Sequence, residues 1–174
     1  MDYALDCEFM EDGHTIELLS IALVAENGLE FYAEVSDVDT SKANPWVQEH
    51  VLPHLWARNP HKREANAFIR DGGLGGLKTA KEIAQDIRLI CDNSPTFWGY
   101  YSAYDWVALC QLFGTMIDLP KGWPMYCHDL RSWLDLHFYS HITQPNDMPH
   151  HALSDARWIM QTWQTYERLE SAQP

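Results

Sequence analysis

The dipeptide Asn27-Gly28 separates two apolar runs, Ile16 to Ala25 and Leu29 to Val35. A two-residue loop of this composition accepts positive φ at low cost, so the pair marks a tight hairpin between two strands. Upstream, residues 3–9 alternate: Ala4, Asp6 and Glu8 fall on one face, Tyr3, Leu5, Cys7 and Phe9 on the other. Asp12-Gly13 provides the turn into the second run. The first third of the chain is thereby committed to a three-stranded antiparallel meander.

Farther on, the period changes. Ile83, Ile87 and Ile90 recur at helical spacing behind Thr79-Ala80-Lys81-Glu82, in which Thr79 and Glu82 can satisfy the first free amides as a capping box. A short strand is predicted around Thr96 to Tyr100, a helix from about Tyr104 to Phe113, a short apolar piece at Met125 to Cys127, and a helix from near Asp129. The last helix, from about Ala152 to Leu169, places Ala152, Ala156, Ile159, Trp163 and Tyr166 on one face. Residues 36–78 are the least patterned, with a helix expected around Pro45 to Leu52 and an irregular surface segment after it. This order predicts an α/β domain with a ribonuclease-H-like mixed sheet, in which the meander is followed by parallel crossovers and flanked by helices. Without internal repeats or a flexible linker, residues 1–170 are expected to form a single domain and residues 171–174 a tail.

Composition narrows the class of partner. The chain has 174 residues, 46% of them hydrophobic, enough for one core. It carries 12 Lys+Arg against 25 Asp+Glu, a net charge of −13, which argues against a broad basic groove for duplex DNA. No apolar run approaches the roughly 18 residues that span a bilayer, and MDYALDCEF lacks the basic start of a secretory signal. A soluble cytoplasmic protein is expected. Cys7, Cys91, Cys110 and Cys127 form no C-x-x-C pair, so reduced and mostly buried thiols are expected rather than a zinc ribbon or a disulfide scaffold.

Three acidic positions could carry chemistry. Asp6 and Glu8 are two apart on a strand, so their carboxylates share a face within an apolar stretch. Two such anions call for a cation, and a hard ion such as Mg²⁺ or Mn²⁺ suits an all-oxygen site. Asp105 lies where a strand hands over to a helix, beside the crevice that open α/β sheets use for ligands. In His150-His151-Ala152-Leu153-Ser154-Asp155, His150 and Asp155 are roughly 140° apart on a regular helix, so His150 is better placed on the preceding loop. Each signal also has an ordinary explanation: solvated strand acids, a first-turn acid favoured by the helix dipole, a capping Asp with solvated histidines.

Together, D-x-E on the first strand, an Asp opening a middle helix and H-x-A-x-x-D opening the last helix resemble the DEDDh family of 3′-to-5′ exonucleases. Within it, the chain is most similar to the RNase AS group of polyadenylate-specific exoribonucleases. The similarity rests on Glu17 to Ile21, Tyr100 to Leu112, Leu119-Pro120 with Pro124-Met125, and His151 to Arg157. Ser20 and Tyr101 stand where the proofreading and oligoribonuclease branches often have Glu and Asn. The resemblance implies two Mg²⁺ ions, for which Mn²⁺ can substitute, about 4 Å apart and held by Asp6, Glu8, Asp105 and Asp155. Asp6 would bridge both, Glu8 and Asp155 would bind the first, and Asp105 would support the second. It further implies that His150 is the general base, that single-stranded RNA 3′ ends, A-rich ones included, are the substrate, and that the protein is a homodimer.

Acidity fits such a substrate, because a strongly negative protein gains little counterion release along a strand and must rely on metal, stacking and a few terminal nucleotides. Phe9, Tyr104 and Trp106 flank the motifs and could stack on bases, although aromatic groups beside core elements are more often packed. One cationic stretch, residues 58–81, holds Arg58, Lys62, Arg63, Arg70, Lys78 and Lys81 with Gly72-Gly73-Leu74-Gly75-Gly76, whose amides could receive a phosphate. It has neither a Walker-type Gly-Lys pair nor G-x-G-x-x-G spacing. The alternative functions are a DNA exonuclease of the same fold and a non-catalytic acidic module that imitates nucleic-acid charge.

Overall fold

The computed structural model describes residues 1–56, 75–145 and 150–172. The meander is present as β1 (Asp2–Glu11), β2 (Ile16–Ala25) and β3 (Glu30–Val35), with antiparallel pairing throughout. Its turns use positive φ at Gly13 (83°) and Gly28 (87°), conformations in which a side chain would be strained. Helix α1 (Pro45–His50) is shorter than expected. Asn44 caps it by accepting from the Val47 amide at 2.9 Å, and a 3₁₀ turn, Leu52–His54, replaces its predicted end.

Strand β4 (Gly76–Lys78) then adds to β3 in parallel, within a region expected to be irregular. Helix α2 (Ala80–Ile90) begins at Thr79 with the capping box complete. Next come β5 (Thr96–Gly99), parallel to β1, and α3 (Ala103–Phe113). A strand expected at Met125 to Cys127 forms one step later as β6 (His128–Asp129), parallel to β5. Asp129 caps the following helix, α4 (Leu130–Leu136), and α5 (Ala152–Ser171) closes the described chain. Ser171 thus ends the last helix rather than opening the tail, while Gln173 and Pro174 lie outside the described residues.

The six strands lie in the order β4-β3-β2-β1-β5-β6. This is the α/β, ribonuclease-H-like mixed sheet that the element order predicts. The period-2 alternation of β1 divides its side chains between two cores. Tyr3, Leu5 and Cys7 pack with Ile21, Leu23, Phe31 and Phe97 against Ile83 and Ile87 of α2 and Leu109 of α3. Ala4 packs on the other face with Ala22, Val24 and Trp98, beneath Leu130 and Leu134 of α4 and Leu153, Ala156 and Ile159 of α5. Burying apolar surface on both faces fixes the strand register, since a one-residue slip would exchange the faces. A smaller cluster, Met10, Leu19, Ala43, Val47 and Val51, seats α1 beside the end of β1.

Cys7, Cys91, Cys110 and Cys127 are free thiols, the first three buried. No helix among the described residues is long and apolar enough to cross a membrane. Of the cationic stretch, Arg58, Lys62, Arg63, Arg70, Gly72, Gly73 and Leu74 lie outside the described residues. In the described part, the Gly75 amide donates to Asp86 at 2.8 Å, and Lys78 forms an ion pair with the same carboxylate.

Candidate active site

β1 runs in the middle of the sheet, but its pairing with β5 ends at Ala4 and Trp98. Beyond that point the backbone of β1 faces the turn from β5 into α3. Gly99 makes this turn possible, because a Cβ there would lie 2.4 Å from the Ser102 Cβ. Asp105, in the first turn of α3, sends its Oδ1 back to accept from the Cys7 amide at 3.0 Å, satisfying a backbone donor beyond the last β1–β5 pair. Asp105 therefore sits against the backbone between Asp6 and Glu8, although its helix packs on the opposite sheet face from α5.

On the α5 side, Asp6 and Glu8 project toward the first turn of that helix, where Asp155 lies. One oxygen from each of Asp6, Glu8 and Asp155 lies within 4.8 Å of the others. Glu8, Asp105 and Asp155 are buried and Asp6 is half-buried. Among the described residues none of the four is in a salt bridge.

Such a cluster resists full ionisation. Burial, then the charges of Asp105, Glu8 and Asp155, pushes the Asp6 carboxyl well above the usual range. Glu8 is pushed the same way by burial and by Asp155 and Asp105. Burial raises Asp105 to about 7 despite the Cys7 amide, and raises Asp155 to about 6 against hydrogen bonds from the His151 backbone and Gln144. Helix N-termini favour these two anions, yet they are no substitute for a counter-charge at the centre of the cluster. An all-oxygen donor set with surplus negative charge and no basic partner suits hard divalent cations, so the residues fit the metal that the motif implies.

The neighbouring histidines occupy contrasting environments. His150 is exposed, and its ring meets the half-exposed Trp46 edge-on at 4.9 Å. Trp46 meets His50 in the same manner at 5.1 Å. Partial desolvation of the ring, reinforced by His50, lowers the His150 pKa and favours its neutral form. His151 is 2% exposed and packs against Tyr32 at 4.7 Å and Trp56 at 4.0 Å.

Of the three aromatic residues predicted to reach bases, Phe9 and Tyr104 form an edge-to-face pair at 5.7 Å, with Tyr104 half-exposed and Phe9 packed against the core on the α2 and α3 side of the sheet. Trp106 does not belong with them. It is buried in the core, 5.6 Å from Phe97, and its spacing with Leu109 and Cys110 was the signal of a core-facing helix stripe.

Gln144, bonded to Asp155, and Asp129, close to Asp105, carry no sequence signal that ties them to the carboxylates, and Trp46 carries none that ties it to His150. Asp129 contributes to raising the Asp105 pKa, but its oxygens accept from the amides of Ser102 at 3.0 Å and Ser132 at 2.8 Å. Glu34, fully buried, stands two strands from Glu8 through Ser20 and accepts from the Tyr32 hydroxyl at 2.6 Å and from the Trp56 amide.

Residues 1–167 match the model of a family described as the 3′-5′ exoribonuclease Rv2179c-like domain. The chain is 39% identical over 158 residues to the 3′-5′ exoribonuclease Rv2179c of Mycobacterium tuberculosis strain ATCC 25618 / H37Rv, covering 90% of this chain and 88% of that protein. It shows the same identity and coverage with the 3′-5′ exoribonuclease MT2234.1 of Mycobacterium tuberculosis strain CDC 1551 / Oshkosh.

Proposed function

Because the chain belongs to the Rv2179c-like family of 3′-5′ exoribonuclease domains, we propose that it shortens single-stranded RNA from a free 3′ end, using Asp6, Glu8, Asp105 and Asp155 to hold two Mg²⁺ ions. The observation that carries this reading is the convergence of oxygens from Asp6, Glu8 and Asp155 within 4.8 Å, beside Asp105 and with no salt-bridge partner among the described residues. Bound there, the ions would activate water and stabilise the charge that develops on the phosphate and the leaving oxygen; Mn²⁺ would serve in their place.

The protein's own contribution begins with placement. β1 fixes Asp6 and Glu8 by register, and the two helix N-termini bring Asp105 and Asp155 to them. His150, kept neutral near physiological pH, takes the proton of the attacking water on an imidazole nitrogen. The water oxygen forms the new bond to phosphorus as the bond to the 3′ oxygen of the preceding nucleotide breaks. The leaving 3′ oxygen takes a proton from bulk water and the imidazolium of His150 releases its own, so the products are a nucleoside 5′-monophosphate and a chain one residue shorter, again ending in a 3′-hydroxyl. Phe9 and Tyr104 supply aromatic surface for the terminal base. With a net charge of −13, selectivity comes from these last nucleotides, and the resemblance to the polyadenylate-specific group implies that A-rich ends are favoured.

We further propose that the protein acts in the cytoplasm as a homodimer. Exposed Ile117, Leu136 and Phe138 offer apolar surface for a second copy, and light scattering should give about twice 20.2 kDa. A lone 20.2 kDa species at micromolar concentration would remove the dimer.

Substrate polarity is tested by a time course on 5′-labelled RNA and DNA of matched sequence. Stepwise shortening of the RNA is expected, slowed by a 3′-phosphate or a stable terminal hairpin. Early internal cuts would refute the exonuclease reading, and faster loss of the DNA would make the protein a DNA exonuclease of the same fold.

A further inference from the structure

The connection from α4 to α5 has no helix or strand over residues 137–145, yet it is held closely. The Tyr139 amide donates to the Leu134 carbonyl at 2.8 Å, and its hydroxyl donates to Glu170 Oε1 at 2.9 Å. Ile142 donates to the Tyr139 carbonyl at 2.9 Å. The Ile142 carbonyl in turn accepts from Arg131 Nη1 at 2.6 Å, and both Tyr139 and Ile142 pack on the core beneath α4 and α5. Arg131 is 7% exposed, and its guanidinium is oriented by Asp135 on the next turn of α4. Two residues past this anchor, Gln144 Nε2 donates to Asp155 Oδ1 at 2.7 Å.

We infer that Gln144 is a positioning residue for divalent-ion binding: its amide fixes the rotation of the Asp155 carboxylate, and Arg131 holds Gln144 in place through the Ile142 carbonyl. The inference rests on the metal reading given above. Its logic lies in charge as much as in geometry. An Arg or Lys at this position would orient Asp155 equally well but cancel negative charge that the cations require. A Glu would place acceptor against acceptor and add to a cluster already short of positive charge. A primary amide orients the carboxylate and leaves its charge intact, which is the task of a partner lying behind a metal ligand. Arg131 keeps its own charge at a distance from the cluster by spending it on Asp135 and a backbone carbonyl.

The test is calorimetric titration of chelator-stripped protein with Mn²⁺, alongside steady-state kinetics on RNA. Gln144→Met keeps the length and volume of the side chain but cannot donate. Its Mn²⁺ affinity should fall roughly 10–100-fold. The loss in kcat should be recovered at saturating Mn²⁺, with the KM for RNA and the melting temperature unchanged. Gln144→Asn, which retains the donor on a shorter stem, should regain part of the affinity. Gln164→Met, which removes an amide bonded to the Glu26 carbonyl at 3.0 Å, should bind as wild type. Wild-type affinity in Gln144→Met, with affinity lost in Asp155→Asn, would overturn the positioning role alone. Undiminished affinity in Asp155→Asn would overturn the metal reading and the inference together.

Discussion

Replacing His150 and His151 individually with alanine should separate chemistry from stability in adjacent residues. The His151 ring is 2% exposed and packs against both Tyr32 and Trp56, with ring centres 4.7 and 4.0 Å away. Truncating a buried aromatic ring loses transfer energy and leaves a cavity, about 3–5 kcal/mol for the larger Phe or Trp, while each aromatic pair adds about 0.5–1.5 kcal/mol. For the smaller imidazole about 3 kcal/mol is expected. In a domain of this size that lowers the melting temperature by about 6–12 °C. Turnover below the transition should change little, because the backbone carbonyl of residue 151, which accepts from the Asp155 amide at 3.2 Å, is retained. His150→Ala should do the reverse: an exposed ring with an edge contact to Trp46 contributes little stability, while loss of the base should cut kcat on the order of 10²–10⁴-fold with metal binding preserved. Paired thermal melts, steady-state RNA hydrolysis and Mn²⁺ titration measure all three quantities. Equal kcat losses in both variants, or a loss only in His151→Ala, would refute the assignment of the base.

Two further outcomes concern charge and placement. Burial holds Asp105 at about 7 and Asp155 at about 6 against an ordinary 3.8, so as pH rises from about 4 to about 7 the unfolded chain releases these protons before the folded protein does, and their stabilising contribution is lost across that window. In chelator, Asp105→Asn, which keeps an oxygen for the Cys7 amide, should therefore gain melting temperature relative to wild type between pH 5 and 8, a gain that Mg²⁺ reverses; a constant difference across that range would contradict the raised pKa. Trp46→Ala removes a half-exposed ring that meets His150 and His50 edge-on, so kcat should fall on the order of tenfold through misplacement of the base, with no change in melting temperature; an unchanged kcat would assign Trp46 no role in placing His150.

The parts of the fold that could be read from sequence are those governed by local period and turn chemistry. Period-2 alternation placed Asp6 and Glu8 on one face of β1, and the Thr79–Glu82 box located the start of α2 to the residue. The strand β4 escaped, and β6 was expected a step too early, because three and two residues, respectively, are too few to establish a period, and their pairing is set by neighbours distant in sequence. The same limit applies to the site. Asp105 and Asp155 announce themselves through their positions in helix first turns, whereas Gln144 meets Asp155, and Trp46 meets His150, through contacts that no spacing encodes. Trp106 shows the opposite failure: its place beside Asp105 suggested the substrate surface, but the helical stripe it shares with Leu109 and Cys110 faces the core.

Action of these four carboxylates through bound divalent ions is the core of the proposed mechanism. It is tested most directly by titrating Mg²⁺ into chelator-stripped wild type and Asp105→Asn while single-nucleotide release from the 3′ end of 5′-labelled RNA is counted. Release should be absent in chelator, rise with Mg²⁺ to saturation in the wild type, and be almost wholly lost in the variant at every Mg²⁺ concentration while it remains folded. Full activity in chelator, or wild-type activity in Asp105→Asn, would contradict the mechanism.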